Sequence, residues 1–270
     1  MYQILAYNVT AGVNDVDVDM TALPDPNFSR RGGATGFNHW IFTEKYSLMA
    51  AYYGAVSALR ARLSISSWNS YGAQQIYPPN RSLNIPSNPQ VRDLRSYAPE
   101  IPMNEELAVL ESNNLAAATE QTFAILFIAP HGEPRQLTRG VNRIMARFTA
   151  AVTTVANGWT GDVGITITDQ IKGGTYAVNG LEVVGADVLA ARLNLVHAPT
   201  YQGRKLQAGC LATPTIGNVP LRFGPDWLGE MGRFNNFELP QIAFLSTAAA
   251  AITVTGFMDL TYLGDGMQIY

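Results

Sequence analysis

Little in this chain is suited to chemistry. Cysteine occurs once, as Cys210, which excludes an intrachain disulfide and most cysteine metal sites. Histidine occurs three times, at His39, His131 and His197, with no HxH or HxxxH spacing that would hold a metal, so these read as surface or core histidines. Lysine is equally scarce: Lys45, Lys172 and Lys205 stand against fifteen arginines. Charged residues make up 14% of the chain, well under the usual quarter. Residues 1–29 contain neither Lys nor Arg, so no basic arm opens the sequence. A net charge of −3 gives no long-range attraction for nucleic acid, and no direct sequence-specific nucleic-acid binding is expected.

Long apolar runs are missing too. The greasiest stretch, 244–258, is diluted by Ser246, Thr247, Thr253, Thr255 and Gly256. It falls short of the roughly 20 apolar residues that span a bilayer. Residues 1–11 lack the basic and apolar regions of a signal peptide, so a soluble protein is expected. Neither a GxSxG elbow nor a phosphate-cradling GxxxxGK[ST] is present, and Gly32-Gly33 and Gly173-Gly174 read as turn glycines.

Three features come nearest to a site. Asp15, Asp17 and Asp19 alternate with Val16 and Val18, placing three carboxylates on one strand face that would attract a hard cation. As an EF-hand the segment fails, with Met20 in place of the turn glycine and Pro26 in place of the bidentate Glu. A solvated strand face is the favoured reading. Trp40, Trp68, Trp159 and Trp227 are candidates for a sugar-stacking platform, with core or interface anchoring favoured. Arg30-Arg31, in a glycine-rich loop, suits phosphate or, preferentially, acidic groups on a neighbouring chain. No catalytic, cofactor-binding or metal-ligating residue is assigned, and no enzyme is indicated.

What the chain does have is 47% hydrophobic residues over 270 positions, enough for a substantial core in one large or two smaller domains. A charge-poor surface with Arg preferred over Lys is what protein–protein interfaces look like. A subunit that hides surface in an assembly is therefore favoured over a low-charge monomer.

The chain also repeats itself. Residues 108–128, AVLESNNLAAATEQTFAILFI, share a plan with 243–263, AFLSTAAAAITVTGFMDLTYL, at an offset of 135. LRARLSI at 59–65 matches LAARLNL at 189–195, each preceded by Gly-Ala. Ile4-Leu5-Ala6 matches Ile144-Met145-Ala146. The pairs keep their order, which supports a tandem duplication with lobes of 1–135 and 136–270.

Along the chain, 3–20 reads as two short strands, 21–36 as a loop and 36–42 as a short strand. Residues 43–63 are ambiguous: Leu48, Tyr52, Ala55, Leu59 and Leu63 fall at helical spacing, while Leu59, Ala61, Leu63 and Ile65 alternate. The second part is read as strand and the first stays open. Residues 67–104 form a long Pro-rich connection, mirrored by 198–240, where one helical turn fits 226–231. Strands are expected near 106–112 and 119–129, with 129–134 as the interlobe linker. The second half reads as strands at 143–157, 162–169, 175–178, 181–184 and 188–196, then the closing hairpin. About eight strands fall in each half.

The paired echoes, and the final strand with its TGFMDLTYL, make the chain resemble the double jelly-roll major capsid proteins of tailless, often membrane-containing viruses. The resemblance spans the whole chain at the level of architecture. It implies an all-β fold of two tandem jelly-roll lobes and a homotrimer whose six lobes form a pseudo-hexagonal capsomer tiling an icosahedral shell. It further implies a virion location after assembly in the host cytoplasm, minor virion proteins as further partners, and, given the missing basic arm, an internal membrane beneath the shell. Both long connections are then expected at lobe ends, against neighbours. The alternatives are a single jelly-roll coat or appendage protein with long insertions, and a carbohydrate-binding β-sandwich; a glycosidase ranks last. The polar residues Glu111, Asn113, Asn114 and Glu120 give way to Ser246, Ala248, Ala249 and Thr255, so the second hairpin turn is expected to be the more buried.

Overall fold

The computed structural model describes residues 2–10, 16–32, 36, 38–54, 58–68, 74–76, 92–113, 121–132, 142–212 and 229–265. Among these the secondary structure is strand and turn, with no helix. The chain divides into two compact units, one of residues 5–132 and one of 1–4 with 133–270. The first four residues thus group with the second half: Tyr2 Oη donates to the Gly209 carbonyl at 2.6 Å, and the Gln207 amide donates to Gln3 Oε1 at 2.6 Å.

In the unit of 5–132, one sheet runs Glu100–Ile101, Tyr46–Gly54, Gln121–Pro130, Gln3–Thr10, Thr21–Ala22, with Arg92–Asp93 also on Tyr46–Gly54. The other runs Ser29–Arg31, His39–Ile41, Glu106–Asn113, Ala58–Ser64, Gln74–Ile76, with Val18–Asp19 also on Glu106–Asn113. Counting positions along the chain, the sheet orders are 6-3-8-1 and 2-7-4-5. Strand 1 bonds strand 8, 2 bonds 7, 3 bonds 6 and 4 bonds 5. This is one long hairpin rolled into two sheets, the jelly roll.

The second unit repeats that order. Its first sheet runs Thr166–Ile167, Arg143–Thr153, Ala251–Gly264, Thr175–Val184, Gly232–Asn235. Its second runs Gly158–Trp159, Gln241–Ser246, Val188–Asn194, Gly209–Leu211, with Val163–Gly164 also on Gln241–Ser246. The fold is all-β, with two tandem jelly rolls, and a single roll with insertions is excluded. Each sequence echo falls on equivalent positions: 108–128 and 243–263 on the seventh and eighth, 59–65 and 189–195 on the fourth, 4–6 and 144–146 on the first.

The part of 43–63 left open is strand: residues 46–54 form one, and every residue of it is buried, so no alternation marks it. Other local readings change. Thr175–Val184 is one strand instead of two, with a register shift between Val178 and Gly180 where the buried Asn179 amide donates to Thr261 Oγ1 at 2.7 Å. The described parts of the long connections are not structureless, since they supply the fifth and sixth strands of each roll. Residues 77–91, 213–228 and the hairpin turn 114–120 lie outside the described residues. So do Asn114, Glu120 and residues 226–228 of the expected helical turn, and 229–231 carries no helix.

The cores are aromatic. In the first roll Phe28 packs edge-on against Phe42 and Tyr46, with centroids 5.4 and 5.5 Å away. In the second, Tyr176 stacks on Phe234 at 5.7 Å, and Phe148 and Phe244 are fully buried. Each such side chain contributes about 1.5–3 kcal/mol by leaving water.

Candidate functional site

The acidic strand face is engaged by the protein itself. Asp17 pairs with Arg62. Asp19 accepts from His39 Nε2 at 2.8 Å and from Asn38 Nδ2 at 3.1 Å. His39 Nδ1 lies 3.0 Å from Glu106 Oε2, so one imidazole links two carboxylates on neighbouring strands. Asp15 lies outside the described residues, and no group of three or more His, Cys, Asp or Glu among them is placed to hold a metal. The expectation of a solvated face holds in part: Asp17 is exposed and paired with Arg62, while Asp19 is half-buried against His39 and Asn38.

The arginine pair is also used internally. Arg30 Nη1 donates to the Ala22 carbonyl at 2.8 Å, and Arg31 sits 3.8 Å from Glu106. Partners on a neighbouring chain are not needed to explain either contact.

A second polar cluster went unread in the sequence. Ser47 Oγ meets His131 Nδ1 at 2.8 Å, and His131 Nε2 lies 3.3 Å from Glu100 Oε2. The register sets it up, since Ser47 faces Glu100 on one side and Ala129 on the other. A hydroxyl, an imidazole and a carboxylate in line form the skeleton of a nucleophilic triad. Chemistry would further need amides free to hold an oxyanion. Here Ser47 is buried, and the Leu48 and His131 amides beside it donate to Pro99 and Lys45 carbonyls. Lys45 Nζ, 2.7 Å from Glu100, holds that carboxyl below its ordinary range through their hydrogen bond. The cluster acts as a brace between three strands. Its members, at 47, 100 and 131, share no motif spacing that would have revealed it.

The three described tryptophans do not form a platform. Trp40 is fully buried, Trp68 donates to the Glu100 carbonyl at 3.1 Å, and Trp159 lies under the Arg192 guanidinium at 4.4 Å. Trp227 lies outside the described residues. His197 forms a backbone bridge with Arg233. In the same roll Glu230 is buried against Arg233 at 2.8 Å; burial raises its carboxyl pKa, with Arg233 opposing. Cys210 is fully buried, and burial pushes its thiol far up, helped by the charge of Glu182.

Among the described residues, the most exposed large apolar side chain lies on the second roll, beside a sheet face of small residues. Arg143–Thr153 alternates between buried and exposed, and beside it Ala251–Gly264 presents Ala251 and Thr253 to solvent. Cross-strand pairs Thr149–Thr255, Ala151–Thr253 and Thr153–Ala251 make this row small and uncharged. An open depression of about 390 Å³ lies between 151–153 and 251–253. Phe237, on the turn after Gly232–Asn235, is 88% exposed.

No protein-family model and no curated protein matches the chain. Among solved structures, the chain is similar to the major capsid protein P2 from bacteriophage PM2, at 11% identity over 100% of both chains and a TM-score of 0.26. At that score the likeness carries no weight, and the jelly-roll assignment rests on strand order.

Proposed function

We propose that the chain is a structural virion protein, a major capsid protein that assembles as a homotrimer into pseudo-hexagonal capsomers of an icosahedral shell. The observation that carries this reading is the repetition of one eight-position roll within a single chain. Three such chains supply six similar rolls, the number a hexagonal tile needs. The composition agrees: 14% charged residues and three lysines suit a surface that is covered by neighbours. The polar clusters fit the same role, since they brace strands and present no open reaction site. Minor virion proteins, an underlying membrane and assembly in the host cytoplasm belong to this reading.

Light scattering and negative-stain microscopy of the purified chain test it. Particles of three times the 29.3 kDa chain mass, or shells built from them, are expected. A species that stays monomeric at milligram concentrations would refute the proposal.

A further inference from the structure

Phe237 has no role within its own roll, yet it is held firmly. Its amide donates to Asn235 Oδ1 at 3.0 Å, and the Glu238 amide donates to the Asn235 carbonyl at 2.8 Å. The next residue back is tied down as well: Asn236 Oδ1 accepts from the Gly174 amide at 2.7 Å, and the Asn236 amide donates to the Gly174 carbonyl at 3.1 Å. An aromatic ring 88% exposed at the apex of a pinned turn is preorganised as an anchor. Seating it costs little beyond the ring's own rotamer freedom.

The same roll carries a place that such a ring fits. The depression is lined by Ala151, Thr153, Ala251 and Thr253 with Val152 and Ile252, and Val155, 47% exposed, follows it in the chain. About 390 Å³ is open there, ample for a phenyl ring. The flanking charges match. Glu238, next to Phe237, is exposed. Arg147 is exposed on the same outward row as Ala151, about 13 Å along the strand, within side-chain reach of a carboxylate beside a seated ring.

Ring and depression cannot meet in one molecule. Thr175 pairs with both Gly264 and Asn235, which puts Phe237 near the Gly264 end of the long last strand. The depression lies at the Ala251 end, about 35 Å away along an extended chain.

We propose that Phe237 of one copy seats in the 151–153/251–253 depression of a second copy, with Glu238 facing Arg147 across the contact. This names the interface of the coat-subunit reading and rests on it. Because the two surfaces differ, the contact is head-to-tail, the kind that closes rings or extends a lattice.

Sedimentation velocity on the full chain tests it. Phe237→Ala and Ala151→Phe change exposed positions, so melting curves should match the parent. Each should weaken self-association at least about tenfold, and the pair together should add little more. Glu238→Arg and Arg147→Glu should each weaken association, and their combination should restore it. Wild-type oligomers that persist unchanged in Phe237→Ala and Ala151→Phe would overturn this interface and leave the coat reading standing. A monomeric wild type would remove both. If Phe237→Ala leaves assembly intact but abolishes co-sedimentation with phosphatidylglycerol vesicles, the ring's partner is a bilayer and the proposal fails.

Discussion

Gly256 offers a sharp test of how the second roll is packed. It sits in Ala251–Gly264 directly opposite Phe148 of Arg143–Thr153 and beside Val183 of Thr175–Val184. A Cβ at this position would lie 2.3 Å from Phe148 Cζ and 2.5 Å from the Glu182 carbonyl oxygen. Two escapes are available, and both are costly. The ring can turn, but Phe148 is fully buried in a filled core. Alternatively the strands can part, which loosens the ladder at Glu182–Val183. Overpacking of this kind costs about 1–3 kcal/mol, and a weakened ladder bond about 1 kcal/mol more. Replacing glycine in a strand returns about 0.5–1 kcal/mol of chain entropy. Gly256→Ala should therefore lose about 2–3 kcal/mol, a drop of roughly 5–10 °C in the transition of this unit. Urea unfolding followed by circular dichroism and tryptophan emission measures it. The cause is then isolated by Phe148→Leu, which shortens the ring's reach. In the Gly256→Ala background that change should cost less than alone, or stabilise, giving a coupling of at least about 1 kcal/mol. A loss under about 0.5 kcal/mol for Gly256→Ala, or strict additivity with Phe148→Leu, would refute the steric account.

Two titratable groups make further predictions. Burial raises the Glu230 carboxyl above its ordinary value of 4.5, so the folded state holds this proton more tightly than the unfolded chain does. Its stabilising contribution is full below that value and is lost as pH rises through the raised folded pKa. Glu230→Gln should flatten stability over that window, and an unchanged pH profile would contradict the assignment. Cys210 is fully buried with its thiol pushed up, so Ellman's reagent should react only as fast as the roll opens. Fast labelling of the native chain would show that the burial is wrong.

The rolls were legible in the sequence where strands are half-exposed or repeated. RIMARFTAAVT shows its alternation because outward positions carry Arg, Thr and Ala while Ala146, Phe148, Ala150 and Val152 face the core. Tyr46–Gly54 is buried throughout, so its apolar residues carry no period, and those at 48 and 52 fall at helical spacing without forming a helix. The break read at Asn179-Gly180 is a register shift, because the Asn179 amide finds Thr261 inside the sheet and no turn is needed. The fifth and sixth strands escaped notice because two to four residues leave no pattern. The candidate sites were legible in part. Asp17 and Asp19 stood out as a carboxylate row, but their partners Arg62 and His39 come from strands 45 and 20 residues away in sequence. Ser47, Glu100 and His131 are brought together only by register, which no local motif encodes.

The low charge of the chain acquires a location once the rolls are known. A sheet face left in water is ordinarily guarded by Lys or Glu, whose desolvation deters pairing with other chains. On the second roll the outward row from Thr149 to Thr153 and its partners from Ala251 to Thr255 contain neither. Thr and Ala are tolerated by water and cost little to dehydrate, so the face is soluble alone and easily covered. Of the flanking charges, Arg143 is bound to the buried Asp259, while Arg147 stands exposed at the end of the row. The first roll uses its equivalent strand differently. Gln3–Thr10 is mostly buried, where Arg143–Thr153 is exposed at alternate positions. Two copies of one topology have thus diverged where sheet meets surroundings while keeping the same strand order. That divergence is what the proposed coat subunit requires, and scarcity of charge is its sequence signature.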